Sequence, residues 1–121
     1  MLKKLFYICN FFLIILYLYP GSIIGYIFYR NLYKQPQLTN DFLSLSANHF
    51  YTFFIISLIG LFSFKDSKKI ISYLILLSIF LELSHIIIPN RSFQFSDLFG
   101  NVFGIIVSII LIRVFKYWRK Q

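Results

Sequence analysis

Charge is scarce in this sequence. Only 13% of its 121 residues are charged while 59% are hydrophobic, against about a quarter charged in a soluble globular domain, which excludes an ordinary soluble domain and makes a bilayer the natural solvent. Cysteine is nearly absent too. Cys9 stands alone inside the first apolar run, so neither an intramolecular disulfide nor a thiolate-metal cluster can form within one chain, and as a small hydrophobe it needs no functional role. There is no His-Glu-x-x-His zinc motif, no glycine-rich phosphate loop and no nucleophile elbow. Ser84 and Ser92 have carboxylates and histidines near in sequence, but nothing singles out a triad order. Internal repeats, low-complexity tracts and soluble linkers are likewise missing.

What the chain does have is an excess of positive charge, +8, and four long apolar runs. The twelve Lys and Arg residues sit between and beyond the apolar runs instead of lining one amphipathic face. That placement excludes nucleic acid as the expected partner and matches topology signals and contacts with anionic headgroups. Four spans of about 20 residues use most of the chain, so residues 1–121 are expected to form a single membrane domain.

The first run, Leu5 to Tyr19, would rise only about 22 Å as a helix, short of a hydrocarbon core of roughly 30 Å. It is therefore expected to continue through Pro20 and Gly21 to about Phe28, kinked where proline removes a hydrogen bond. Lys3 and Lys4 resemble the basic region of a signal peptide, yet no small-x-small cleavage site follows, so a retained helix is expected. From Tyr29 to Leu45 neither a two-residue nor a 3.6-residue period holds, which marks the longest loop. Ser46 is expected to cap a second span over 46–64. Lys65 to Lys69 reads as a polar turn joining it to a third, 70–88, as an antiparallel hairpin. Pro89-Asn90-Arg91 ends that span, and Ser96 and Asp97 open a fourth over 96–115. The fold expected is all-α, a bundle of four transmembrane helices.

Orientation follows from the basic residues. Lys3, Lys4, Lys65, Lys68, Lys69, Arg113, Lys116, Arg119 and Lys120 fall on one side of such a bundle, and Arg30, Lys34 and Arg91 on the other. The positive-inside rule puts both termini in the cytoplasm and the two longer polar connections outside.

Against this apolar background the polar residues of the spans stand out. Glu82 and His85 share a helix face, roughly 10 Å and 5 Å below the outer end of span three. A charge at a helix centre costs about 2.5–3.5 kcal/mol, so Glu82 should either face the bundle interior with a partner, His85 or Arg91, or be protonated. Asp97, Asn101, Gly104 and Ser108 draw a stripe down span four that should meet span three, and Gly100 with Gly104 permits close helix approach. His49 lies one turn inside span two, at a depth close to that of His85 and Asn101. Asn10, Thr52, Ser57 and Ser108 read as interhelical hydrogen-bond glue. Glu82-x-x-His85 has the helical spacing of carboxylate-bridged iron proteins, but these need a second copy and the chain has one, so neither a metal nor another cofactor is expected.

The run Glu82-Leu-Ser-His85-Ile-Ile-Ile-Pro89-Asn-Arg91-Ser-Phe-Gln-Phe-Ser-Asp97-Leu-Phe-Gly-Asn101-Val-Phe-Gly104 resembles the VanZ-like family, with its Glu, then Pro-x-Arg, then Asp-x-x-x-Asn-x-x-Gly. Tyr17-Leu-Tyr-Pro20-Gly21-Ser22 is similar to the family's first-helix ending, and Asn48-His49-Phe50-Tyr51 to its histidine motif. The chain departs from the family at Ser46-Ala47-Asn48, where an acidic-Lys pair is common, and at His85, where a glutamine is common. The resemblance implies a bacterial plasma-membrane protein of the cell envelope, in a family named for a protein of teicoplanin resistance.

Two readings stay open at this point. In the first, an outward cavity lined by His49, Glu82, His85, Arg91, Asp97 and Asn101 binds a lipid-linked or cell-wall component at the outer leaflet. Arg91, Asp97 and Asn101 are its binding residues, and Glu82, His49, His85 and Asp97 are the candidates for acid-base work if chemistry occurs. In the second, the same residues form a structural network in a non-enzymatic scaffold among membrane lipids.

Overall fold

The structure, a computed structural model, describes residues 1–121; it is all-helical, without a β-strand. Five helices follow one another: α1 Leu2–Leu18, α2 Ile23–Tyr29, α3 Ala47–Ser63, α4 Ser67–Ser84 and α5 Phe95–Arg119.

The expected first span, 5–28, is not one kinked helix. α1 stops at Leu18, and α2 sets off at 84° to it. The sequence supplies the cause: a residue before proline is driven out of the helical region, and Tyr19 is extended at ψ 133. Gly21 then takes φ +127, which a side chain would resist, and the Ser22 hydroxyl caps α2 by accepting from Gly25 N–H at 2.9 Å.

The other helices lie close to the expected spans, with shifts at their ends. Ser46 is the N-cap residue of α3, yet its side chain makes no capping bond. The Asp41 carboxylate accepts from Ala47 N–H instead, at 3.0 Å. Three residues join α3 to α4, whose first turn is capped by Asp66 accepting from Lys69 N–H at 3.2 Å. α4 gives way after Ser84 to tighter turns, His85 N–H bonding to Glu82 O and Ile86 N–H to Leu83 O. α5 runs on past Phe115 to Arg119.

Each of the four longer helices turns one face inward. Ile70, Leu74, Leu77 and Leu81 step by four, three and four along α4, and with Phe6 and Leu13 of α1, Phe53 and Ile56 of α3 and Ile105 and Ile112 of α5 they make the core. The most extensive helix pairing is α3 with α5. A Cβ on Gly100 would stand 2.7 Å from Ser46 O, and one on Gly104 2.5 Å from Phe50 O. The small-residue stripe of α5 therefore meets α3, not α4 as expected, because only there does backbone approach backbone this closely. The expected polar glue is not interhelical either: Thr52 and Ser108 donate to carbonyls of their own helices, and Ser57 Oγ and Asn10 Oδ1 have no partner.

Between α2 and α3 the chain folds over the same end of the bundle. Ser22 N–H donates to Leu32 O at 2.7 Å, Asn48 Nδ2 donates to Pro36 O at 2.7 Å, and Lys34 O presses on Gly25, where any side chain would collide with it. α5 is long and apolar enough to cross a membrane, with a mean hydropathy of 2.3, and α1 with α2 passes as a bent pair.

Candidate functional site

Four elements deliver polar side chains to one end of the bundle. Tyr17 comes from the last turn of α1, His49 from the first turn of α3, Glu82 and His85 from the end of α4, and Asp97 and Asn101 from the first two turns of α5. Asp97 lies in the first turn of α5, where the positive end of the helix favours a carboxylate.

Tyr17 is the hub. Its hydroxyl lies 3.0 Å from His49 Nδ1 and donates to Asn101 Oδ1 at 3.1 Å, its carbonyl is 3.0 Å from His85 Nε2, and its ring stacks on the His85 ring at 17°. His49 Nδ1 is also 3.1 Å from Asn101 Oδ1, while His49 Nε2 lies 3.6 Å from Asp97 Oδ2. Glu82 is wholly buried. Its Oε1 accepts from Gln94 N–H at 3.1 Å and stands 3.4 Å from His85 Nδ1. His85 Nε2–H serves the Tyr17 carbonyl, which leaves the Nδ1 side of the ring turned to the Glu82 carboxylate.

Of the two expected partners of Glu82, His85 is therefore at hand and Arg91 is not. Arg91 turns toward the end of α1, where Nη2 donates to Leu16 O at 2.9 Å and Gly21 O at 2.6 Å, and Nε to Tyr19 O at 3.2 Å. A cation there complements the negative end of α1. Burial draws the guanidinium down from its ordinary value, against the opposing pull of Tyr17, Asp97 and Glu82, and it stays charged.

Beside this cluster lies a cavity of about 350 Å³, walled by Leu13, Leu16, Ile24 and Leu32 and edged by Gln35, Asn48, His49, Thr52, Arg91 and Asp97. The expected lining is met at His49, Arg91 and Asp97. Glu82, His85 and Asn101 do not reach it; they are buried beneath it at 0%, 2% and 0% exposure. The cavity lining is thus mixed, with apolar side chains from α1, α2 and the following loop and polar ones from α3, α5 and the segment before α5.

Sequence reasoning missed Tyr17 and Gln94. Tyr17 ends an apolar run beside Tyr19 and Pro20, where an aromatic reads as an interfacial anchor, and only the converging helices reveal its hydroxyl's partners. Gln94 acts through its backbone, which no side-chain pattern reports. The reading that no metal is expected rested on local spacing. The structure instead gathers donors from three helices: one atom each of His49, Glu82 and Asp97 lie within 4.8 Å of one another.

Fold and site together define an all-helical chain with a polar cluster and an adjoining cavity at one end of its bundle. No family model matches this chain, and neither the curated proteins nor the solved structures offer a match to it.

Proposed function

We propose that this chain is a VanZ-like, multi-pass protein of the bacterial plasma membrane, crossing it four times with both termini in the cytoplasm, and that its outward cavity binds the polar head of a lipid-linked or cell-wall component. The observation that carries the reading is the cavity whose lining joins Leu13, Leu16, Ile24 and Leu32 with His49, Asp97 and Arg91. In this arrangement α1, α3, α4 and α5 are the spans. α2, bent away from α1 and exposing Tyr26, Ile27, Phe28 and Tyr29, lies along the interface.

Support for the bilayer comes from the outer surface. Phe11, Phe12 and Ile15 on α1, Leu76 and Phe80 on α4 and Ile110 and Leu111 on α5 are all exposed, far more apolar surface than a soluble monomer leaves in water. α3 and α4, of 17 and 18 residues, span about 26 Å, which a thinned bilayer accommodates. Tyr17, His49 and Asp97 fall at the end opposite Lys65, Lys68, Lys69 and Lys116, on the outward side by charge. The resemblance to VanZ-like proteins extends the reading to glycopeptide (teicoplanin) resistance.

A second reading, the non-enzymatic scaffold, is favoured by the Arg91 guanidinium, whose donors serve three carbonyls of the α1 end and so hold helices together. Native mass spectrometry of the protein released from its own membrane separates the two. Binding predicts an adduct of defined mass on the wild type that is lost from folded Asp97→Asn and Thr52→Trp variants. The same spectrum from all three proteins would favour the scaffold.

A further inference from the structure

The polar cluster leaves two buried side-chain atoms without a hydrogen-bond partner, Asn101 Nδ2 and Glu82 Oε2. The Tyr17 hydroxyl has one proton, directed at Asn101 Oδ1. His49 Nδ1 lies 3.1 Å from the same oxygen, whose second lone pair can accept an Nδ1–H. That tautomer leaves His49 Nε2 bare, and it faces Asp97 Oδ2 at 3.6 Å. Glu82 Oε1 is occupied by Gln94 N–H and His85. Its second oxygen, Oε2, is buried without any hydrogen-bond partner and lies 4.0 Å from His49 Nδ1. One buried oxygen of Glu82 is thus left without a partner beside His49 and Asp97, ligand-type side chains from two other helices, and a buried carboxylate oxygen so placed calls for a cation or a proton.

We propose that His49, Glu82 and Asp97 bind one divalent transition-metal ion of the zinc and manganese class. One imidazole with two carboxylates suits such ions. Donor atoms within 4.8 Å of one another need to close in by less than about 1 Å each to reach the 2.0–2.2 Å of metal–nitrogen and metal–oxygen bonds. The surroundings also have the form of an outer coordination shell. With the ion on His49 Nε2, Asn101 Oδ1 would accept from His49 Nδ1–H, and Gln94 N–H with His85 holds the far oxygen of Glu82, the kind of support that orients ligands and raises affinity. Glu82 forms the floor, whereas His49 and Asp97, 17% and 18% exposed, sit on the cavity wall. Three protein ligands leave a position open toward the cavity for water or an anionic oxygen. The site depends on neither the membrane orientation nor the identity of an envelope ligand, so its failure would leave the proposed function standing.

The test uses the full chain in detergent, stripped with a chelator and titrated with Zn2+ and Mn2+ by calorimetry, with bound metal counted by elemental mass spectrometry. One ion per chain is expected. His49→Ala and Asp97→Asn, both at the rim of the site, should weaken binding by more than about 100-fold and Asn101→Leu by about 10–100-fold, with circular dichroism reporting unchanged helix content. Co2+ should give visible ligand-field bands that Asp97→Asn alters. No stoichiometric binding by the stripped wild type would overturn the proposal, because a proton then fills the gap. So would His49→Ala and Asp97→Asn variants that hold metal as tightly as the wild type; if those variants fail to fold, the wild-type stoichiometry decides.

Discussion

At the scale of single residues the site depends on two side chains that reach across the bundle. Tyr17 serves His49, His85 and Asn101 at once. Tyr17→Phe keeps the ring stacked on His85 and removes only the hydroxyl, leaving a buried amide oxygen with one partner fewer. A loss of about 1 kcal/mol in unfolding free energy is expected, measured by denaturant titration in detergent. Arg91 is the second. Its fork reaches three carbonyls, 72 residues distant in sequence at Tyr19, and a lysine ammonium cannot reproduce that geometry. Arg91→Lys should therefore behave like Arg91→Ala, with a loss of roughly 1.5–3 kcal/mol and faster proteolysis across residues 19–22. Wild-type protease resistance in Arg91→Lys would contradict the capping role.

At the scale of helices the α3–α5 contact is the tightest. A Cβ on Gly104 would meet Phe50 O and, at 2.9 Å, Phe54 N, both backbone atoms that cannot swing aside. On Gly60 it would meet the edge of the Phe6 ring at 2.8 Å, which a rotamer shift can relieve. Gly104→Ala is thus expected to cost about 1–3 kcal/mol and Gly60→Ala clearly less, a ranking that parallel unfolding curves check. The same contrast marks what the sequence made legible. The apolar runs located the helices, and the polar stretch Lys65–Lys69 marked the region of the α3–α4 connection, although α4 already starts at Ser67. Glu82, His49, Asp97 and Asn101 stood out because polar side chains are costly in such runs. The break after Leu18 was misjudged because a missing bond at Pro20 is compatible with a kink, and what ends the helix includes Arg91 from a distant loop. The partner of the Gly100–Gly104 face was misassigned because adjacency in sequence suggested α4, while close backbone approach selects α3. The division of the polar residues into a cavity wall and a buried layer follows from α-helix rotation and tilt, which periodicity alone leaves free.

At the scale of the whole molecule, charge and polarity are segregated. The polar cavity, Tyr17, His49 and Asp97 lie at one end, and Lys65, Lys68, Lys69, Lys116 and Arg119 at the other, with exposed apolar side chains between. This is the distribution that the proposed membrane arrangement requires, in which the positive-inside rule would turn the cavity end outward. The measurement that tests this most directly is labelling of intact cells by a membrane-impermeant maleimide, using a Cys9→Ala background with single cysteines at Asn40→Cys, Ser92→Cys or Lys68→Cys. Labelling at positions 40 and 92, with position 68 modified only after the cells are opened, is the predicted result. Labelling of position 68 in intact cells while 40 and 92 stay protected would contradict an outward-facing cavity.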